Sequence, residues 1–154
     1  MRPDWETYFM KIAYIVSERS TCIRRKVGAI IVRDNRILST GYSGAPSGLP
    51  HCDEIGSCLR DEMNIPSGER SELCRAAHAE LNAISQAAQY GVGIMRSTMY
   101  CTDSPCSFCA KAMINSKIIT VIYDREYPDT MASRMFAEAG IVSKKTKIEK
   151  GFET

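Results

Sequence analysis

The chain has 154 residues, which suits one domain, residues 1–154, with one hydrophobic core. Apolar residues make up 44% and charged residues 25%, the balance of an ordinary globular protein, and a net charge of +2 argues against a dedicated duplex-binding protein. No apolar run approaches the length of a membrane span, and Asp4, Glu6, Lys11 and Glu18 interrupt the first twenty residues as a signal peptide would not be interrupted. The expectation is a cytoplasmic protein with neither nucleic acid nor membrane as its partner. Seven cysteines are many for this length, and the odd count fits a disulfide framework poorly. Metal ligation is the first reading for them, with buried free thiols as the alternative.

In chain order, Trp5, Tyr8, Phe9, Ile12, Ala13, Ile15 and Val16 recur at helical spacing behind Pro3 and Asp4. Val27–Val32 and Ile37–Tyr42 are apolar runs separated by Asp34 and Asn35, which predicts a β-hairpin. The stretch 43–73 is rich in Gly, Pro, Ser and charge and reads as a long loop with one short helix around Cys58–Met63. A loop that long in a compact domain is more often functional than idle. A helix is expected over Ala77–Tyr90 with Gly91 as its stop, then a strand over Thr98–Thr102 and a helix over Pro105–Ser116. A buried-type strand over Ile118–Tyr123, a helix over Pro128–Ala139 and a last strand over Ile141–Lys144 complete the order. Strands alternating with helices imply an α/β sheet covered on both faces. The tail beyond is polar, with Ile148 and Phe152 as its candidate docking residues.

Three side chains of metal-ligand type stand out: His78, Cys106 and Cys109. Cys106 and Cys109 are three residues apart at a helix start, so both sulfurs can share one face, where the positive end of the helix dipole favours thiolate. With His78 from a second helix start they leave a tetrahedral ion one open position, the pattern of a catalytic rather than a structural zinc. Glu80 lies two residues past His78 and can serve there as a proton carrier beside the metal. A lone Cys-x-x-Cys is also compatible with a redox pair. The whole set, His78-Ala79-Glu80 and Pro105-Cys106-Ser107-Phe108-Cys109, is far more specific, because His-x-Glu followed by Pro-Cys-x-x-Cys is the signature of zinc deaminases.

On these residues the chain resembles the deoxycytidylate (dCMP) deaminases of the cytidine deaminase superfamily over nearly its whole length. The matching stretches are Ile12–Ser17, Lys26–Ala29, Gly41–Pro46, His78–Ile84, and Ser104–Cys106 with Cys109–Lys111. The resemblance implies a three-layer α/β/α fold around a mixed five-stranded sheet. It implies zinc-dependent hydrolysis of dCMP to dUMP and ammonia, supplying dUMP for thymidylate synthesis, with Glu80 moving protons between water, ring nitrogen and leaving amine. It also implies a homo-oligomer, a hexamer built from dimers, with dCTP and dTTP as effectors. By the same resemblance Tyr42, Ser43, Gly44, Ala79 and Ser104 would contact the substrate; Ser43 stands where the family usually has Asn and reaches less far. For the phosphate, the run Arg24-Arg25-Lys26, of which Lys26 matches a family position, and Arg125 supply the candidate cations, and solvated surface charge is the alternative for each. Tyr127 either lines the pocket or packs on the last helix.

Cys22 and Cys52 match positions that hold a second, structural zinc in some members of that family. Cys58 and Cys74 would complete a closed four-thiolate site, with His51 as an alternative ligand. Cys101, in a buried-type strand beside Met99, reads as core packing. Rival readings are a tRNA adenosine deaminase, which would want a basic face, and a non-catalytic zinc scaffold, which would have no use for Glu80.

Overall fold

The computed structural model describes residues 1–148; Phe152 lies outside them. The elements are α1 (Trp5–Ser17), β1 (Gly28–Arg33), β2 (Arg36–Tyr42), α2 (Cys52–Ile55), α3 (Leu59–Glu62), α4 (Ala79–Gln89), β3 (Thr98–Asp103), α5 (Ser107–Asn115), β4 (Thr120–Arg125), α6 (Thr130–Glu138) and β5 (Val142–Lys145). The strands form one mixed sheet of order β2-β1-β3-β4-β5. Pairing is antiparallel from β2 through β1 to β3 and parallel from β3 through β4 to β5.

Alternation along the strands sorts side chains into two cores. Ile30, Val32, Tyr100 and Ile122 meet Phe9, Met10, Ala13 and Tyr14 of α1, and Ile148 packs against this cluster. On the opposite face Ala29, Ile31, Met99, Cys101 and Val121 meet α4, α5 and α6 through Ala83, Met113 and Phe136. This is the expected three-layer α/β/α arrangement.

The β1–β2 hairpin turns at Asp34 and Asn35, both in the left-handed region (φ 52° and 57°), the geometry that suits a tight two-residue turn. β4 begins two residues later than its apolar run suggests, because the chain leaves α5 through Lys117 at φ 62° and Ile118 is buried in that turn. The long loop departs further from expectation. It carries two short helices, α2 and α3, and a 3₁₀ turn at Ser71–Leu73 rather than a single helix. Elements of four residues have too few periodic positions to be read from apolar spacing.

One contact sets where α4 starts. A Cβ on Gly41 would lie 2.3 Å from the Ala79 carbonyl oxygen and 2.4 Å from the Ala83 nitrogen, so only glycine lets β2 touch the α4 backbone. Ser39 Oγ donates to Ala83 O at 2.6 Å, and Asn82 Nδ2 donates to Tyr42 O at 2.8 Å and Ala77 O at 3.1 Å. We expect Gly41→Ala to lower stability by about 1–3 kcal/mol, the usual range for overpacking. Urea unfolding would detect it; an unchanged midpoint would mean that α4 can shift freely.

Candidate active site and metal centre

His78 is the N-cap residue of α4 and Cys106 the N-cap residue of α5. Cys109 follows one turn into α5, so two helix starts point at one spot. His78 Nδ1 lies 3.3 Å from Cys106 Sγ and 3.7 Å from Cys109 Sγ. Among the described residues these are the only three or more His, Cys, Asp or Glu ligand atoms that lie within 4.8 Å of one another.

The electrostatics of the metal-free triad fit a cation. The Cys106 thiol is drawn down to about 4, first by its hydrogen bond with Cys109 and then by His78, against the opposing effect of burial. His78 is raised to about 11, first by its hydrogen bond with Cys106 and then by one with Cys74. A thiolate and an imidazolium therefore share the space that a metal ion would take, and binding would release their protons. Two cysteines and one histidine at helix starts form a zinc donor set with a free position.

Glu80, in the first turn of α4, is 3% exposed. Burial raises its carboxyl to about 7, partly offset by His78. Glu80 helps hold the thiols of Cys101 and Cys109 above their usual range, behind burial for Cys101 and behind the Cys106 hydrogen bond for Cys109. Cys101 is thus core packing, as expected, and also backs Glu80, a role that a buried cysteine in a strand does not announce in sequence.

His78, Cys106 and Glu80 line a cavity of about 500 Å³, within the range of small-molecule sites. Of the residues named from sequence for the substrate, Arg24, Arg25, Ser43, Ser104 and Tyr127 line it; Lys26, Tyr42, Gly44, Ala79 and Arg125 do not. Ser104 Oγ accepts from Tyr127 N at 2.7 Å and so holds the Tyr127 loop at the rim. Ala79 is buried in the core, Gly44 pairs with Ala77, and Tyr42 presents its carbonyl to Asn82. Arg125 is committed elsewhere: its Nε lies 2.7 Å from Asp103 Oδ1, its Nη2 donates to Lys26 O at 2.9 Å, and its guanidinium lies over the Tyr14 ring at 5.5 Å. Arg25 meets the same Asp103 at 2.6 Å. The cations of the cavity wall are Arg24, Arg25, Arg60 and Arg75. Arg60 and Arg75 went unread because nothing in a loop sequence tells an inward arginine from a solvated one.

Cys22, Cys52, Cys58 and Cys74 also share the cavity wall. The Cys52 thiol is raised first by burial and then by Cys22, Cys74 and Cys58. These four sulfurs are neighbours, but no three of them come within the 4.8 Å that the His78 triad achieves. His51 does not line the cavity. Its Nδ1 accepts from Ala45 N at 3.1 Å and lies 3.0 Å from Thr21 Oγ1, which pins the Gly44–Pro46 turn.

Residues 3–125 match the model of the cytidine and deoxycytidylate deaminase zinc-binding region. The chain is 36% identical over 141 residues to a deoxycytidylate deaminase of Schizosaccharomyces pombe, covering 91% of this chain and 43% of that protein. The chain thus spans less than half the length of that relative. It is 35% identical over 149 residues to ComE operon protein 2 of Bacillus subtilis, covering 96% of this chain and 74% of that protein. The dCMP deaminase of cyanophage S-TIM5, solved in complex with dCMP and dUMP, superposes with a TM-score of 0.78 at 32% identity, covering 95% of this chain and 99% of that one.

Cys106→Ala and Cys109→Ala are each expected to lose the metal of the triad, since no fourth His, Cys, Asp or Glu lies within 4.8 Å of all three ligand atoms among the described residues. Metal analysis of the purified variants checks this; full retention of that metal would mean that other residues hold it.

Proposed function

Since the chain belongs to the cytidine and deoxycytidylate deaminase family, we propose that it is a dCMP deaminase, hydrolysing dCMP to dUMP and ammonia and so supplying dUMP for thymidylate synthesis. The observation that carries this reading is Glu80, a buried carboxyl with raised proton affinity beside a His–Cys–Cys metal triad at a ligand-sized cavity. A zinc held only for structure would need no such group.

His78, Cys106 and Cys109 would hold the zinc, which supplies a Lewis acid that lowers the pKa of a water molecule. Glu80 takes a proton from that water, passes it to the cytosine ring nitrogen, and then helps protonate the departing amine. Its environment suits both directions of transfer, because a carboxyl whose proton affinity lies near neutrality gives and takes with small penalty. Ser43 and Tyr127 would contact sugar and base, a role supported by their position on the cavity wall. By family resemblance the active form is a homo-oligomer, a hexamer, with dCTP and dTTP as effectors. Exposed Trp5, Ile15, Met63 and Met131 offer apolar surface for such contacts. No helix among the described residues is long and apolar enough to cross a membrane.

Glu80→Ala is expected to fold, keep its zinc and lose about 10²–10⁴-fold in kcat with dCMP. An ammonia-release assay beside metal analysis tests this, and near-normal turnover would overturn the assignment. Offering dCMP, dCTP, deoxycytidine, cytidine and tRNA in parallel separates the dCMP reading from its rivals.

A second zinc on Cys22, Cys52, Cys58 and Cys74 belongs to the same proposal, supported by their shared wall and mutual influence. It would tie the long loop to the start of the catalytic helix, because Cys74 lies four residues before His78. Wild type is then expected to bind two zinc ions per chain and Cys22→Ser one. One ion in both would leave these residues as buried thiols.

A further inference from the structure

Asp103 ends β3 on the cavity wall, and its side chain is 4% exposed. Two guanidiniums converge on it. Arg25 Nε lies 2.6 Å from Oδ2 and Arg25 Nη2 donates to Oδ1 at 3.2 Å, while Arg125 Nε lies 2.7 Å from Oδ1. Among the described residues, neither arginine has another carboxylate at ion-pairing distance. Burial pushes the Asp103 carboxyl up, and Arg125 and then Arg25 pull it back down. A buried carboxylate of this kind adds little to stability over an apolar side chain of the same volume, whereas removing it alone would leave two like charges facing one another. Its value lies in where it fixes the chain.

Arg125 stands at the root of the loop that carries Tyr127 to the cavity rim. Its side chain is held by Asp103, by the Lys26 carbonyl at 2.9 Å and by the Tyr14 ring at 5.5 Å, and the Tyr14 hydroxyl is itself bonded to Asp124. Its carbonyl oxygen accepts from Ser104 N at 2.8 Å, and Ser104 Oγ accepts from Tyr127 N at 2.7 Å. One residue further on, the loop meets the long 43–73 stretch. A Cβ on Gly68 would lie 2.7 Å from the Pro128 carbonyl oxygen, and the φ of 87° there also requires glycine. Asp103, Arg125, Ser104 and Tyr127 thus form one chain of contacts from the end of β3 to the seam where two walls of the cavity touch.

We infer that Asp103 is a positioning residue for the substrate, holding Tyr127 at the cavity rim through Arg125 and Ser104. This rests on the dCMP reading and deepens it, because it says what keeps the rim in shape for the nucleotide. Asp103 lines the cavity, yet a carboxylate is a poor direct contact for an anionic nucleotide, and both of its oxygens already face guanidiniums. Its influence therefore passes through Tyr127.

The test measures kcat and KM for dCMP, calorimetric affinity for dUMP, zinc content and the urea midpoint. The proteins are zinc-loaded wild type, Asp103→Asn, Arg125→Met, Tyr127→Leu, and the double variants that join Tyr127→Leu to each of the other two. Asp103→Asn is expected to raise KM and weaken dUMP binding about 10-fold, within the usual coupling range for residues in contact, with kcat and zinc close to wild type. Arg125→Met should do the same. Each double variant should be no worse than Tyr127→Leu alone, because one interaction cannot be lost twice. Losses that multiply in the double variants would overturn the inference, since Asp103 would then act independently of Tyr127. A fall in kcat at unchanged KM would overturn it by moving the effect to Glu80, and zinc loss would do so by moving it to the Cys106 turn. If Asp103→Asn does not fold, the Arg125→Met pair decides by the same criteria. If wild type does not turn over dCMP, the dCMP reading fails and takes this role with it. If wild type turns over dCMP and both single variants keep its KM, the positioning role alone fails.

Discussion

The chemistry of this protein depends on backbone contact between a strand and a helix. β2 runs against α4 so closely that Gly41 leaves no room for a Cβ. Asn82 locks the approach by bonding both Tyr42 and Ala77. Where α4 begins is thereby set, and His78 and Glu80 occupy its first positions. α5 begins where β3 ends, which brings Cys106 and Cys109 to the same end of the sheet. Donors about thirty residues apart in sequence meet because two helices start at neighbouring strand ends, not because any one segment holds a metal loop.

The same placement explains why the metal-free triad is electrostatically tense. Three donors and a buried carboxyl lie together at the starts of α4 and α5. The protons are redistributed: Cys106 gives one up readily, while His78 and Glu80 hold theirs more tightly than usual. A divalent ion would relieve this by neutralising thiolate charge and leaving the imidazole neutral for ligation. Glu80, not itself among the clustered ligand atoms, would keep its proton-carrying freedom.

Legibility in the sequence followed the range of the forces involved. Long amphipathic segments such as α1 and α4, and the Asp34–Asn35 hairpin, were readable because apolar period and turn chemistry act locally. The triad was readable because helix starts impose fixed spacings on ligands. The interior of stretch 43–73 was not: α2, α3 and the 3₁₀ turn are too short for periodicity, and their positions come from long-range contacts such as Arg24 with Asp61 and Ile65. Charges gave the least reliable signal. Arg125 follows a strand end as a phosphate ligand would, yet its guanidinium is held by buried Asp103, a partner no local pattern reveals. Arg60 carries no local signal in the loop sequence, yet it is one of the most buried charged groups described.

The division of labour that results is physical rather than merely topological. The sheet and its long helices build the metal end of the cavity, where position must be held to fractions of an ångström for proton transfer to work. Other parts of the wall come from the loop, with Cys52, Cys58 and Arg60, and from the segments on either side of it, with Cys22, Arg24, Cys74 and Arg75. A wall of that kind draws its order from polar contacts and bound ligands more than from packing. Loop residues such as Arg60 and Ser67 stand outside the two cores on which the helix starts bearing His78 and Cys106 rest.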